Sequence, residues 1–330
     1  MTDQPPLYGI PCDLDEARIR VIPVPFDATC SYGIGASLGP ATILEASPQL
    51  DFEDRRFGNL LETKIAMEPI DASIAELSAQ TRRIVTSSLE ASDDEACEPE
   101  AAAKVDAASE IVNAFVSARV SEAVGNGQIP AVVGGEHSVS LGAIRALGES
   151  GHTFGVLQVD AHMDLRRAYQ NLRYSHASVM LNMLEMVPGV EKLVQVGIRD
   201  YDTDEARFGR GRRVDVHYWD DLADALDNGR AWRSLCEAMV EPLPANVYVT
   251  FDIDGLDPTL CPNTGTPVPG GLSWDQASLL LQMIRDSGRR VIGFDLVEVA
   301  PSASDATRID GIIGARVLYR LCGMALGPRR

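Results

Sequence analysis

Basic residues are scarce in this chain: 48 Asp and Glu stand against 29 Lys and Arg, a formal net charge of −19. A nucleic-acid-binding surface needs a basic footprint, so the charge argues against that class and favours small cationic partners. Close cysteine pairs are also missing. Cys12, Cys30, Cys97, Cys236, Cys261 and Cys322 are scattered, with no CxxC. That pattern gives no thiolate metal cluster or disulfide framework and reads as free thiols in a reducing compartment. No apolar run approaches the ~18 residues of a membrane span. The opening MTDQPPLYG has neither a basic nor an apolar leader segment. The expectation is a soluble, cytoplasmic protein with no membrane and no nucleic-acid partner.

What is present is ordinary globular material, 330 residues at 45% hydrophobic and 23% charged, within reach of one large α/β domain spanning 1–330. Apolar, β-branched runs recur at 18–24, 131–135, 154–160, 192–198, 214–219, 246–254 and 290–299. Their near-continuous hydrophobicity predicts strands buried on both faces, as in a parallel sheet. Helical patterns at 140–148, 177–186, 221–239 and 273–287 alternate with them, which predicts a doubly wound α/β sandwich. Residues 87–106, SSLEASDDEACEPEAAAKVD, break the pattern with acid, alanine and almost no large apolar residue. They are expected to form a solvated inserted loop, with an exposed helix end as the alternative.

Three short runs, each after a strand-like stretch, carry the chemistry: GGEHS at 134–138, DAHMD at 160–164 and FDIDGLDP at 251–258. They offer His137, Asp160, His162, Asp164, Asp252 and Asp254, enough for two divalent cations with shared ligands. In an extended chain, residues i, i+2 and i+4 face one side, so Asp160, His162 and Asp164 can converge. Asp252 and Asp254 repeat that spacing, and Gly255 lets the backbone turn after them. Buried carboxylates at a strand end are costly unless a cation neutralises them. Glu136 is expected to support the site structurally, and Asp257 before Pro258 to be a turn residue. Mixed imidazole and carboxylate suits Mn²⁺, Zn²⁺ or Fe²⁺, and two close ions acidify a bridging water. Metal-assisted hydrolysis is the implied chemistry.

In this order the motifs resemble the ureohydrolase family of arginase, agmatinase, formimidoylglutamase and guanidino-acid hydrolases. The likeness begins at PFDATCSYGIGASLGPATILEAS (25–47), passes through SHAS and TGTPVPGGL, and ends at GFDLVEVAP (293–301). It implies a three-layer α/β/α sandwich around a mostly parallel sheet of about eight strands, assembled as a homotrimer or homohexamer. It implies two Mn²⁺ per chain bridged by a hydroxide that attacks the guanidinium carbon of a small cationic guanidino substrate. By the same likeness His137 and Asp164 hold one ion, His162 and Asp254 the other, and Asp160 and Asp252 bridge. Glu298 then holds the guanidinium, Thr266 lies beside it, and His176 shuttles a proton to the leaving amine. His152 and His217 lie outside every motif.

The segment 165–178, LRRAYQNLRYSHAS, is expected to line the mouth where the substrate tail lies. Its DLR…Y…SHA pattern looks more like the agmatinase branch than like arginase, so agmatine is the expected substrate. Arg166, Arg167 and Arg173 are expected either to point outward or to pair with acids such as Asp27, Asp51 or Glu53. Unpaired, they would suit a guanidinobutyrate- or guanidinopropionate-type acid. A single-zinc deacetylase of similar sheet architecture and a non-catalytic, metal-binding relative are the rival classes. The complete set of six ligands counts against both.

Overall fold

The computed structural model describes residues 4–211, 213–302 and 308–327. Eight strands form one sheet: β1 (Ile19–Val24), β2 (Ile65–Met67), β3 (Ile129–Gly134), β4 (Phe154–Val159), β5 (Val190–Ile198), β6 (Val214–Tyr218), β7 (Asn246–Asp252) and β8 (Arg290–Val297). Their order is β2-β1-β3-β8-β7-β4-β5-β6, and every neighbouring pair is parallel. The seven sequence runs each hold a strand. β2 has only three residues and gave no readable pattern.

Among the described residues ten α-helices flank the sheet: α1 (Gly39–Ala46), α2 (Ala72–Glu90), α3 (Pro99–Gly125), α4 (Ser140–Glu149), α5 (Val179–Met186), α6 (Thr203–Phe208), α7 (Trp219–Asp227), α8 (Trp232–Val240), α9 (Trp274–Asp286) and α10 (Ile309–Ala325). Strand side chains alternate between two cores. Val21, Val133, Val159, Val249 and Phe294 pack with α1, α8, α9 and α10. Ile22, Val132, Val156, Tyr248 and Ile292 pack with α3, α4 and α5. This is the three-layer sandwich that the alternation of elements predicts.

Two helical expectations need correction. The pattern at 221–239 is two helices, because Gly229 takes a left-handed φ of 83° between α7 and α8. The acidic stretch 87–106 is mostly helix rather than loop: 87–90 finish α2, 99–106 open α3, and only 91–98 connect them. α3 buries Val105, Val112, Val116 and Val120. That stripe is spaced for a helix, but alanines and acids fill the positions between, and alanine is the strongest helix former.

Parallel register aligns the carboxyl ends of four central neighbours, β3, β8, β7 and β4. Val133 pairs with Leu296, Phe251 with Leu296, and Val159 with Phe251. The three motifs and Glu298 therefore leave the sheet side by side, where open α/β sheets bind ligands. Among the described residues no helix is long and apolar enough to cross a membrane.

Candidate metal centre

Leaving β3, Gly135 passes so close to Phe26 that a Cβ would sit 1.9 Å from the Phe26 carbonyl oxygen. Only glycine allows that approach. It delivers His137, whose Nδ1 lies 2.9 Å from Asp164, 3.0 Å from Asp160 and 3.4 Å from Asp252. This nitrogen is buried and makes no hydrogen bond of acceptable geometry to any of them. On the other side of Asp160, the His162 Nδ1 lies 3.6 Å from Asp160 and 3.0 Å from Asp254. Two groups of donors result, His137–Asp160–Asp252 and Asp160–His162–Asp254. Asp160 belongs to both, Asp252 only to the first, and Asp164 joins the first through His137.

The convergence of DAHMD has a different cause from simple alternation. Asp160 and His162 follow the strand rhythm and Ala161 is buried in the core. At Asp164 the backbone turns left-handed, with φ 53°. Its carbonyl accepts Met180 and Leu181 N–H at the start of α5, so helix capping fixes the turn and offsets its cost. Glu298 is likewise left-handed, at φ 62°.

The donor set suits divalent cations. Asp160 is fully buried, and burial alone would raise its carboxyl, yet His137 and His162 hold it below the usual range. Burial, then the charge of Asp160, pushes Asp164 up to about 7. Burial, then Asp254 and Asp160, raises Asp252 well above its ordinary value. Protein groups alone cannot keep these carboxylates ionised together. Four carboxylates bring about four negative charges, which two divalent ions balance.

Several buried polar side chains that the motifs did not announce aim this set. The His137 Nε2 meets Thr250 Oγ1 at 2.8 Å, and Thr250 donates to Asp295 at 2.7 Å. Asp295, buried at the centre of β8, also accepts from Tyr248 at 2.7 Å. Gln158 donates to Asp160 at 2.8 Å and accepts from Gln195 at 2.7 Å. Arg199 binds the carbonyls of Asp254 and Val268 at 2.7 and 2.9 Å, tying the Asp254 turn to the Thr266 loop. The signal was present: Gln158, Gln195, Thr250 and Asp295 interrupt otherwise apolar strands, and a buried polar group needs a partner.

The remaining candidates surround a cleft of about 130 Å³ lined by Ser31, His162, Asp164, Arg166, Tyr169, His176, Ala177, Asp200, Tyr201, Glu205 and Thr266. His176 is anchored by its N–H to Thr29 Oγ1 at 3.0 Å, and its Nε2 meets Ser31 Oγ at 3.3 Å. Burial, then the neighbouring imidazoles, pushes it down to about 3. Thr266 donates to Asp254 at 3.4 Å. Glu298 is not part of the cleft lining. Its Oε1 accepts the His137 N–H at 2.8 Å and lies 3.9 Å from His176 Nδ1. Glu136 accepts from Thr29 and Ser138 rather than facing the carboxylates, and burial raises it to about 7.

Arg167 is 81% exposed and points outward, one of the two expectations, while the acids that pair with the arginines are not the ones expected. Arg166 pairs with Glu205 at 3.4 Å and lies 4.8 Å over the Tyr169 ring; Arg167 pairs with Glu185, and Arg173 stacks on Tyr174. Asp27 instead caps Gly35 and Ser37, and Glu53 accepts from Asn59. Glu205 is at hand because it closes a capping box on α6.

A model of the arginase family matches residues 17–323. An N(1)-aminopropylagmatine ureohydrolase from Thermus thermophilus is 33% identical over 311 residues, 94% of this chain and 91% of that protein. An agmatinase from Pyrococcus horikoshii is 29% identical over 314 residues, 95% of this chain and 94% of that protein. The crystal structure of an agmatine ureohydrolase from Thermoplasma volcanium superposes with a TM-score of 0.75 at 24% identity, covering 99% of this chain and 95% of that one. That last likeness bears on the fold alone.

Proposed function

This chain belongs to the arginase family, and from that premise we propose that it hydrolyses agmatine to putrescine and urea. His137 with Asp160, Asp164 and Asp252, and His162 with Asp160 and Asp254, would hold two divalent ions, with Mn²⁺ the proposed pair. Bound there, the ions would supply an acidified water as the nucleophile. The chain's own residues do the rest. Glu298, raised by burial and then by Glu136 and Asp254, gains a charge partner when a guanidinium arrives. His176 is neutral near pH 7 and carries one ring proton and one lone pair, so it can relay a proton to the departing amine. The hydroxyl of Thr266 lies beside that path.

The observation that carries the choice of substrate is the charge of the cleft wall. Asp164 belongs to the metal centre and Glu205 is paired with Arg166, itself stacked on Tyr169, so the charge that remains on the wall is that of Asp200. Such a wall suits an ammonium tail and repels a carboxylate. A guanidino acid is the second reading, favoured only by the position of Arg166. Urea release by the Mn²⁺-loaded protein, measured across agmatine, arginine, guanidinobutyrate and guanidinopropionate, tests the choice. Agmatine is expected to lead; preference for a carboxylate-bearing substrate would overturn it. The free thiols, five of them buried, support a cytoplasmic setting. Tyr32, Ile34 and Leu38, exposed on one segment, support assembly into a homotrimer or homohexamer.

A further inference from the structure

The acidic stretch between α2 and α3 plays no part in the chemistry above, yet it touches the cleft wall. Tyr169 and Leu172 exchange backbone hydrogen bonds, N–H to carbonyl, at 3.1 and 2.8 Å. The two residues between them, Gln170 and Asn171, are both left-handed, with φ 52° and 63°. This is the tight hairpin turn that glycine normally occupies, built here without any glycine. The buried amide oxygen of Gln170 has no hydrogen-bond partner. Two left-handed non-glycine residues and an unpartnered amide oxygen weigh against the turn's own two backbone bonds, so its surroundings must help to hold it.

Those surroundings are the connection 91–98 and the first turns of α3. The Cys97 N–H donates to the Gln170 carbonyl at 3.0 Å, and the Cys97 carbonyl accepts from Asn171 Nδ2 at 3.0 Å. Asp106 accepts the N–H groups of Arg173 and Tyr174 at 3.0 and 3.3 Å. Leu172 is fully buried against Val85, Cys97, Ala102 and Val105. At its other end the turn presents Tyr169 to the cleft, edge-on to His176 at 6.4 Å and beneath the Arg166 guanidinium. We infer that the α2–α3 connection, together with the first turns of α3, is a clamp that fixes the Tyr169–Leu172 turn and the residues after it and thereby sets Tyr169 as the wall limiting the length of the substrate tail. Asp106 and Cys97 are positioning residues, and Tyr169 determines specificity. This rests on the reading of the cleft as an aminoalkylguanidine site.

Amide exchange across 165–178 and urea-release kinetics on agmatine and longer aminoalkylguanidines test it in the Mn²⁺-loaded protein. Asp106→Ala should speed exchange at 169–174 at least about tenfold, since two N–H groups lose their acceptor. Asp106→Asn keeps an acceptor and should behave as wild type. Adding Gln170→Gly to Asp106→Ala removes one left-handed penalty and should restore much of the protection, which a general folding defect would not allow. Tyr169→Ala should move kcat/KM toward the longer substrates about tenfold, the scale of one methylene in a pocket. Asp106→Ala should move it the same way by less. Unchanged exchange in Asp106→Ala, or an unchanged length preference in Tyr169→Ala, would overturn the clamp. A wild-type protein inert on every aminoalkylguanidine would instead defeat the functional reading, and the exchange arm alone would then decide the clamp.

Discussion

Replacing Thr250 by valine isolates the least visible part of the metal centre. Valine keeps the shape and β-branching of threonine and removes only the hydroxyl, which meets His137 Nε2 at 2.8 Å and donates to Asp295 at 2.7 Å. All three residues are essentially inaccessible, at 0–1% exposure, so water cannot take over either bond. The imidazole of His137 loses the contact that fixes its ring, and Asp295 loses one donor while keeping Tyr248 and the Phe251 N–H. Removing such an outer partner of a metal-binding histidine costs about 10- to 100-fold in metal affinity, or roughly 1.4–2.7 kcal/mol. Competition with a chromogenic chelator measures it. The variant should bind one ion as the wild type does, through His162 and Asp254, and the other 10- to 100-fold more weakly. Thr250→Ser, which keeps the hydroxyl, should bind both normally. Two unchanged affinities in Thr250→Val would refute the account of how His137 is aimed.

Glu298→Gln keeps the acceptor for the His137 N–H and removes the charge offered to a guanidinium. It should lower kcat/KM for agmatine at least about 100-fold with metal content unchanged. His176→Ala should lower kcat by about 100-fold or more, the worth of a positioned proton carrier, again with both ions retained. Far from the site, Asp54 accepts the Arg56 and Phe57 N–H groups at 2.8 and 3.0 Å and pairs with Arg320 at 3.0 Å. Burial would raise its carboxyl, but the Phe57 N–H and Arg320 outweigh that and lower it. A lowered folded value means the stabilisation is complete above the unfolded value near ~4 and is lost as pH falls through the folded one. Urea unfolding should therefore show Asp54→Asn about 2 kcal/mol less stable at pH 7, with the gap closing in acid.

The sheet was legible because parallel strands buried on both faces must be largely apolar, as 154–157 and 291–294 are. The ligand residues were legible because acids and imidazoles at the ends of such strands have few other uses. Strand alternation brings Asp160 and His162 to one side of DAHMD, but Asp164 arrives there by a left-handed turn that caps α5. α3 was hidden because its buried stripe is valine spaced among alanine and acid, which by composition resembles an exposed loop. The partners of Arg166 and Arg167 could not be read, since Glu205 on α6 and Glu185 on α5 lie outside the loop and meet it only through the packing of those helices. Asp295 and Gln158 could have been read. Each is a polar residue in a buried strand, and each proves to hold a ligand or its support.

The central claim is that the ends of β3, β4 and β7 together hold two divalent ions, and that both are needed to release urea. Titrating the metal-stripped protein with Mn²⁺ while following urea release from agmatine tests this most directly. The rate should be negligible without metal, and activity should saturate at two ions per chain. Urea released by the stripped protein, or activity complete at one ion per chain, would contradict that claim.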